Sequence, residues 1–177
     1  MKRAACGLLA ILAPAIGCKP AQPALTASWS GSDSGRLVAP AVATWCQERR
    51  LLEISAVADD SGLAVIAYPG PNGMLGTFPL FDPLTDSTRR PSAAVAARWP
   101  KVDMVLGYRS IDGVAHLTGG AGTISGSIQG RLLLAGSSAE TLSMDIQFPA
   151  LLIDSSVTGC PPDSAGPARP PGSSGIP

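Results

Sequence analysis

Few residues in this sequence could do chemistry, and its one histidine, His116, is the first to consider. A structural zinc site needs four ligands, and a catalytic one usually takes several histidines or carboxylates. A Ser-His-Asp triad could run only through this residue. The dipeptide Asp112-Gly113 predicts a two-residue hairpin turn, which would place His116 opposite Arg109 on a polar face. The sequence therefore predicts a surface histidine and no metal site.

Two close pairs of acids, Asp59-Asp60 and Asp82 with Asp86, are the candidate carboxylates. Paired carboxylates can hydrolyse glycosides or bind calcium. Asp59-Asp60 precedes Ser-Gly and Asp82 precedes proline, positions at which aspartate commonly caps turns. No D-x-D-x-D-G ladder is present. We predict turn roles for Asp59, Asp60 and Asp82, and keep a carboxylate-dependent hydrolase acting through Asp59 or Asp82 as the second of two alternative functions.

Two glycine-containing runs resemble catalytic or nucleotide-binding motifs only in part. The segment 31–35 reads Gly-Ser-Asp-Ser-Gly, so Asp33 stands where a nucleophile elbow has serine. The segment 119–123 reads Gly-Gly-Ala-Gly-Thr and lacks the lysine of a P-loop. Both are interpreted as loops between strands. The sequence predicts no catalytic residue and no cofactor.

Composition restricts the protein to a few classes. The chain has 177 residues, 13 basic and 13 acidic residues, and 45% hydrophobic residues. That length suits one domain, and that apolar content excludes a disordered chain. A zero net charge disfavours a nucleic-acid-binding protein, which is usually basic. The 20 glycines and 17 prolines predict many turns rather than long helices.

The N-terminus has the layout of an export signal. Lys2 and Arg3 are followed by an uncharged, mostly apolar stretch over residues 4–16. A stretch of about 13 residues is too short to span a bilayer, which takes about 20. A basic head, a short apolar stretch and small residues are typical of a signal peptide, here residues 1–17. No later segment is long enough to span a membrane.

The residues that end this signal, Ala15-Ile16-Gly17-Cys18, resemble the lipobox of bacterial lipoproteins. The family most often has leucine where this chain has Ala15. The resemblance implies a diacylglyceryl thioether on Cys18, cleavage before Cys18, acylation of the new amine and attachment to a membrane. Lys19, in place of aspartate, resembles lipoproteins sent to the outer membrane, facing the periplasm or the exterior. The alternative is cleavage at the A-x-A pattern Ala13-Pro14-Ala15, which would give a freely secreted protein.

The mature chain is predicted to have three parts. Residues 18–25 are the lipidated cysteine and a proline-rich tether, residues 26–160 form one β domain, and residues 161–177 form a disordered tail rich in proline and glycine. With Cys18 acylated and the signal removed, Cys46 and Cys160 remain. An even pair in an oxidising compartment predicts one disulfide.

Alternating apolar and polar residues predict an all-β domain. Period-two patterns over Thr123–Leu134 and Thr141–Phe148 indicate two half-buried strands joined as a hairpin. Turn signals between apolar runs predict two more hairpins, through Asp59-Asp60-Ser61-Gly62 and through Asp112-Gly113. The prediction is about nine or ten short strands in an antiparallel sandwich or small barrel. Ala41–Glu53 is left open between helix and strand.

The expected function follows from anchor and fold together. We expect a membrane-anchored envelope lipoprotein whose β domain is structural or binding and not catalytic. The alternative is a lipocalin-like carrier, in which Gly126 and Gly130 on the core face would leave room for a small apolar ligand. No nucleic-acid partner is expected, and the sequence identifies no particular ligand or protein partner.

Overall fold

The structure is a computed structural model that describes residues 22–86 and 90–156. The described chain forms nine strands and no helix. Their bounds are β1 Ala24–Gly31, β2 Gly35–Cys46, β3 Leu51–Ala58, β4 Ser61–Tyr68, β5 Gly76–Pro79, β6 Ser92–Lys101, β7 Met104–Gly120, β8 Thr123–Leu134 and β9 Thr141–Asp154. Nothing in the described ranges is a helix able to cross a membrane.

Eight strands close into an antiparallel barrel. The prediction of an all-β fold is confirmed, and of the two predicted architectures, sandwich and small barrel, the structure has the barrel. The order around the wall is β7-β6-β4-β3-β2-β1-β9-β8, and β8 pairs with β7 to complete the ring. Turns β1–β2, β3–β4, β6–β7 and β8–β9 lie at one end, here called the upper end. Turns β2–β3 and β7–β8 lie at the lower end. Closure leaves the eight wall strands without a free edge.

Strand β5 fills a gap where β6 and β7 separate. The upper part of β7 pairs with β6 and ends at Arg109↔Ala96, whereas its lower part pairs with β5. The buried hydroxyl of Ser110 bridges the branch point. It donates to the carbonyl of Phe81 at 2.7 Å and accepts from the amide of Val95 at 3.0 Å. A side chain thus replaces the ladder hydrogen bonds that end there.

Inward side chains fill the barrel, because alternate residues of every wall strand are apolar. Large residues such as Leu52, Ile54, Ile128 and Ile146 are 0–1% exposed. Strands β2 and β6 contribute small ones instead, the buried alanines Ala39, Ala41, Ala43, Ala93 and Ala97. Large side chains from one part of the wall therefore meet small ones from another.

The two glycines on the core face of β8 are both covered. A Cβ at Gly126 would lie 2.9 Å from Cζ of Phe148, and one at Gly130 would lie 2.6 Å from Cδ1 of Leu80. The ladder also shifts register between Ile124 and Gly126. The space above both glycines, where the carrier alternative places a ligand, is thus taken by side chains of the protein itself.

Three aromatic rings stack across the upper end of the barrel. The ring centroids of Trp29 and Trp99 are 4.2 Å apart, and those of Trp99 and Tyr108 are 4.6 Å apart. Trp99 and Tyr108 are buried. The indole nitrogen of Trp99 donates a 2.8 Å hydrogen bond to Asp33 in the β1–β2 turn. These three stacked rings pack against the hydrophobic core at the upper end of the barrel.

The hairpin expected at Asp112-Gly113 is wrong. Strand β7 runs through both residues without turning, and β8 pairs along most of it. The ladder shifts register between Ser110 and Asp112, and Gly113 takes a φ of 130°. A Cβ at Gly113 would lie 2.4 Å from the Cα of Gly130. Because Gly113 has no side chain, β7 and β8 can approach closely at this bulge. Glycine within a strand often marks a bulge of this kind rather than a turn.

The other hairpins are confirmed. Strands β3 and β4 join at residues 59 and 60, and β8 and β9 join through residues 135–140. Ala41–Glu53, left open between helix and strand, is the end of β2, a turn and the start of β3. The tail 161–177 and the signal 1–17 lie outside the described residues.

Candidate functional site

The outer surface of the barrel is divided into two faces of opposite character. Outward side chains of β1, β9, β8 and the lower part of β7 are mainly hydroxyls, amides and charged groups, and this face is called the polar wall. Outward side chains of β2, β3, β4 and β6 are mainly aliphatic, and this face is called the apolar wall. Its members are Val38, Pro40, Val42, Val57, Ala64, Ile66 and Ala96.

The polar wall is ordered by strand register into cross-strand rows. One row runs Ser28, Asp145, Gln129 across β1, β9 and β8. The row above it runs Ser30, Ser143, Arg131 and continues to Asp112 on β7. The serines of these rows lie on β1 and β9 and are shorter than the neighbouring side chains on β8 and β7, which leaves a depression beside them.

That depression is an open groove of about 630 Å³. Its polar lining comes from two kinds of side chain, the serines Ser28, Ser30 and Ser143 and the longer residues Asp112, Gln129, Arg131 and Asp145. The size falls within the usual range of about 300–1,000 Å³ for small-molecule sites. A second depression of about 400 Å³ lies lower on the same wall, beside Thr26, Ser127 and Gln147. Both depressions offer hydrogen-bond donors and acceptors.

An ion pair forms one border of the larger groove. Nε of Arg131 lies 3.0 Å from both carboxylate oxygens of Asp112, and Nη2 of Arg131 also donates to Oδ2. The hydrogen bonds from Arg131 hold the pKa of Asp112 below its usual value, and the same pair raises the pKa of Arg131. Both groups stay charged at neutral pH. Their free edges can still bind a polar ligand because about half of each side chain is exposed.

The middle of the groove carries a second acceptor, Asp145. Its Oδ2 accepts a 2.9 Å hydrogen bond from the amide of Gln129. A carboxylate held by an amide and a carboxylate held by a guanidinium are both suited to recognising hydroxyl or amine groups by hydrogen bonds. The structure places them two positions apart along the strands, in adjacent rows.

His116 lies on the surface as predicted, but with other neighbours. Its Nδ1 is 3.1 Å from Oγ1 of Thr77 on β5. Its partner on β8 is Ser127. The expected position opposite Arg109 is wrong because β7 does not fold back at Asp112-Gly113.

The predicted acid pairs have different environments. Asp59 and Asp60 are exposed in the β3–β4 turn. Asp82 is only 6% exposed and accepts 2.8 Å and 2.9 Å hydrogen bonds from Nε of Arg109 and the amide of Leu84. Burial by itself would raise the pKa of Asp82, but these bonds and the charge of Arg109 hold it below the usual value. Asp82 thus closes a turn, as predicted, and the buried ion pair was not foreseen.

The other predicted sites are loops or lie outside the description. Residues 31–35 form the β1–β2 turn, and 119–123 lie at the β7–β8 turn. Cys46 is buried at the end of β2. Cys18 and Cys160 fall outside the described residues. Across the parts of the chain that the structure describes, no three metal-ligating side chains come together.

Sequence reasoning did not find the polar groove. Its residues come from β1, β7, β8 and β9, and no short motif joins them. The signal available was the polar half of the alternation in β8 and β9, namely Gln129, Arg131, Ser143 and Asp145. Only the pairing of these strands with β1 shows that the polar residues face one groove.

Comparison of the chain with family models, curated proteins and solved structures finds no match to any of them.

Proposed function

We propose that this protein is a bacterial envelope lipoprotein, anchored through acylated Cys18, whose barrel is a non-catalytic binding or structural domain. The outer membrane is the proposed location, as the resemblance around Cys18 and Lys19 implies. The disulfide between Cys46 and Cys160 is part of the same proposal, since export brings the chain into an oxidising compartment.

One observation carries the proposal: the fold begins almost immediately after the lipobox. The carbonyl of Pro23 accepts a 3.0 Å hydrogen bond from the amide of Ala41 in β2, and β1 begins at Ala24. Only five residues therefore separate Cys18 from the barrel wall. A signal ending in a lipobox, a short linker and a closed barrel is the arrangement expected of an anchored domain.

The groove on the polar wall is suited to a binding role, and its ion-paired carboxylate Asp112 is not suited to act as a general acid. Its carboxylates are held by Arg131 and Gln129, so they are suited to accepting hydrogen bonds from a ligand. A general acid instead needs a carboxyl with a raised pKa, whereas the pKa of Asp112 is lowered. The hydrolase alternative through Asp59 or Asp82 gains no support, because Asp82 is buried against Arg109.

The carrier alternative rests on the closed barrel, an architecture that can hold one small ligand. The positions at which a cavity was expected, above Gly126 and Gly130, are filled by Phe148, Leu117 and Leu80. The outer groove is therefore the better place to seek a ligand.

The test is a native mass spectrum of the protein expressed in a diderm bacterium and extracted in mild detergent. We expect a chain that begins at acylated Cys18 and is two hydrogens light. Cys18→Ser should abolish the acyl mass, whereas the matched control Cys6→Ser should keep it. A wild-type chain that begins at Ile16 without lipid would refute the anchor. A non-covalent adduct that Arg131→Gln removes would identify a groove ligand.

A further inference from the structure

Several aliphatic side chains of the apolar wall are more than half exposed to solvent. Val38 and Val42 on β2 are each 53% exposed, and Val57 on β3 is 58% exposed. Val38, Pro40 and Val42 lie on the same face of β2, and Val57 lies two residues from Ser55 on the outer face of β3. The cross-strand row from Val42 passes over Ser55 to Ala64 on β4 and Ala96 on β6, which extends the patch across four strands. Single exposed aliphatic residues are ordinary, but a contiguous patch on one side of a barrel indicates a contact surface.

Cationic side chains stand at the upper edge of this patch. Arg36 on β2 and Arg98 on β6 both face outward and are exposed. Among the described strand residues of this face, the one outward acid is Glu53 on β3, which is half-buried, and Asp59 and Asp60 are exposed in the β3–β4 turn at the same end. Neither arginine takes part in a salt bridge with another described residue. Exposed aliphatic groups beside free cations suit a surface that is apolar inside and anionic at its border, as a bilayer is.

The N-terminal linker restricts where the wall can go. Pro23 is fixed to Ala41 on β2, and Ala24 pairs with Pro40, itself a member of the apolar wall. Five residues reach at most about 18 Å when fully extended. Neighbouring strands are about 4.8 Å apart, so the wall residues on β2 and β3 begin within a few ångströms of the point where the linker leaves the barrel.

We propose that the apolar wall rests on the surface of the bilayer that holds the Cys18 acyl chains, with Arg36 and Arg98 against its anionic headgroups. The inference rests on the lipoprotein function proposed above and adds the orientation of the domain. The two walls then face different surroundings, lipid on one side and water on the other. The polar groove of β1, β9 and β8 opens toward the aqueous compartment, where a soluble ligand can reach it.

The test compares two labelled positions on opposite sides of the barrel. Val38 and His116 belong to one cross-strand row, which runs through Thr26, Gln147 and Ser127. Both side chains are exposed. Val38→Cys and His116→Cys are made in the full chain, labelled with a fluorophore and reconstituted in vesicles of anionic lipid that carry a headgroup-depth quencher. Cys46 is buried, so the unsubstituted protein measures background labelling.

We expect the label at position 38 to be quenched several-fold more than the label at position 116. Two further variants check the cause. Replacing Val42 and Val57 by aspartate should bring the two signals toward equality. Replacing Thr118 and Gln147 on the polar wall by aspartate should leave the difference unchanged, and neither residue faces an acid across the strands. All four sites are exposed, so thermal unfolding of both variants should match the parent.

Three outcomes would overturn the orientation. Equal quenching at both positions would mean that the barrel stands on end or turns freely. A label at position 38 that is shielded from lipid and self-quenches as protein density rises would assign the wall to a second copy. Shielding that disappears on removal of residues 161–177, which keeps Cys160, would assign it to the tail. Failure of the anchor itself would be seen separately, since unacylated protein would not float with the vesicles.

Discussion

Gly35 lies directly against the indole of Trp29, so closely that a Cβ at position 35 would be 2.5 Å from Cζ2 of the ring. The two residues are cross-strand partners in β1 and β2. The missing side chain lets the indole lie close over the strand and stack on Trp99 at the upper end of the barrel. The glycine is therefore required for a close approach.

Gly35→Ala should destabilise the protein, because its methyl group would displace Trp29 from the stack. Overpacking of this kind usually costs about 1–3 kcal/mol. Gly120→Ala is the matched control, since a Cβ there meets nothing within 4 Å. Thermal unfolding and the near-ultraviolet circular dichroism of the tryptophans measure the effect. Equal unfolding temperatures for the two variants would contradict this account.

Trp99→Phe and Trp29→Phe should differ in cost although both remove an indole. Trp99 donates a hydrogen bond to the carboxylate of Asp33, whereas the indole nitrogen of Trp29 is buried without a partner among the described residues. Hydrogen bonds to charged groups contribute about 1.5–3 kcal/mol. We expect Trp99→Phe to lower the free energy of unfolding by more than Trp29→Phe, as measured by urea denaturation. The reverse order would show that ring packing dominates at both sites.

Stability should fall in acid through Asp82, because its hydrogen bonds and the charge of Arg109 hold the pKa of this buried carboxyl below its usual value in the folded protein. A depressed folded-state pKa means that the contribution is complete above the unfolded-state pKa and is lost as the pH falls through the folded-state value. Stability should thus decline below about pH 4. Asp82→Asn should flatten that decline and lower stability at pH 7 by about 1–3 kcal/mol, because Arg109 loses its charged partner.

Asp86→Asn is the control for that experiment, since Asp86 is exposed in the same turn. It should leave the pH dependence of unfolding almost unchanged. A curve for Asp82→Asn that parallels the wild type from pH 2 to pH 7 would remove Asp82 as the source of acid sensitivity.

Ser110→Ala should destabilise the branch point of the sheet. The substitution leaves the carbonyl of Phe81 and the amide of Val95 without the hydroxyl that each contacts. Buried groups left unsatisfied cost about 1–3 kcal/mol. Ser127→Ala on the outer face of β8 should cost much less. Hydrogen exchange at the Val95 amide gives a local readout, and unchanged protection there would count against the bridge.

Reduction should lower the unfolding temperature if Cys46 is paired with Cys160 as proposed. Strand register brings Asp154 opposite Thr44, two positions before Cys46, so the six residues that follow Asp154 are long enough to bring Cys160 to it. A closed loop of over a hundred residues is worth about 4–5 kcal/mol in the chain-entropy model. Thiol titration of denatured, unreduced protein should find neither cysteine free. A reactive thiol in the unfolded protein would refute the pairing.

Local patterns predicted most of the strands because each pattern reflects one strand and its own turn. The alternation in β8 and β9 and the Asp59-Asp60 turn depend on neighbouring residues alone, and the structure has them as expected. The hairpin predicted at Asp112-Gly113 was wrong because that prediction also used only neighbouring residues. A strand bulge and a hairpin turn both favour glycine with positive φ, and only the pairing of β7 with β5 and β8 distinguishes them.

The sequence by itself determined the all-β class, the strands with a clear alternation and the surface position of His116, and its N-terminal motif predicts export and lipidation. These follow from periodicity, turn chemistry and a short motif, all of which act over a few residues. The tertiary structure alone decided that the sheet closes into a barrel, that Asp82 pairs with Arg109, and that the outer surface divides into a polar and an apolar wall. Each of these depends on which distant strands become neighbours, and residue spacing along the chain does not encode that directly.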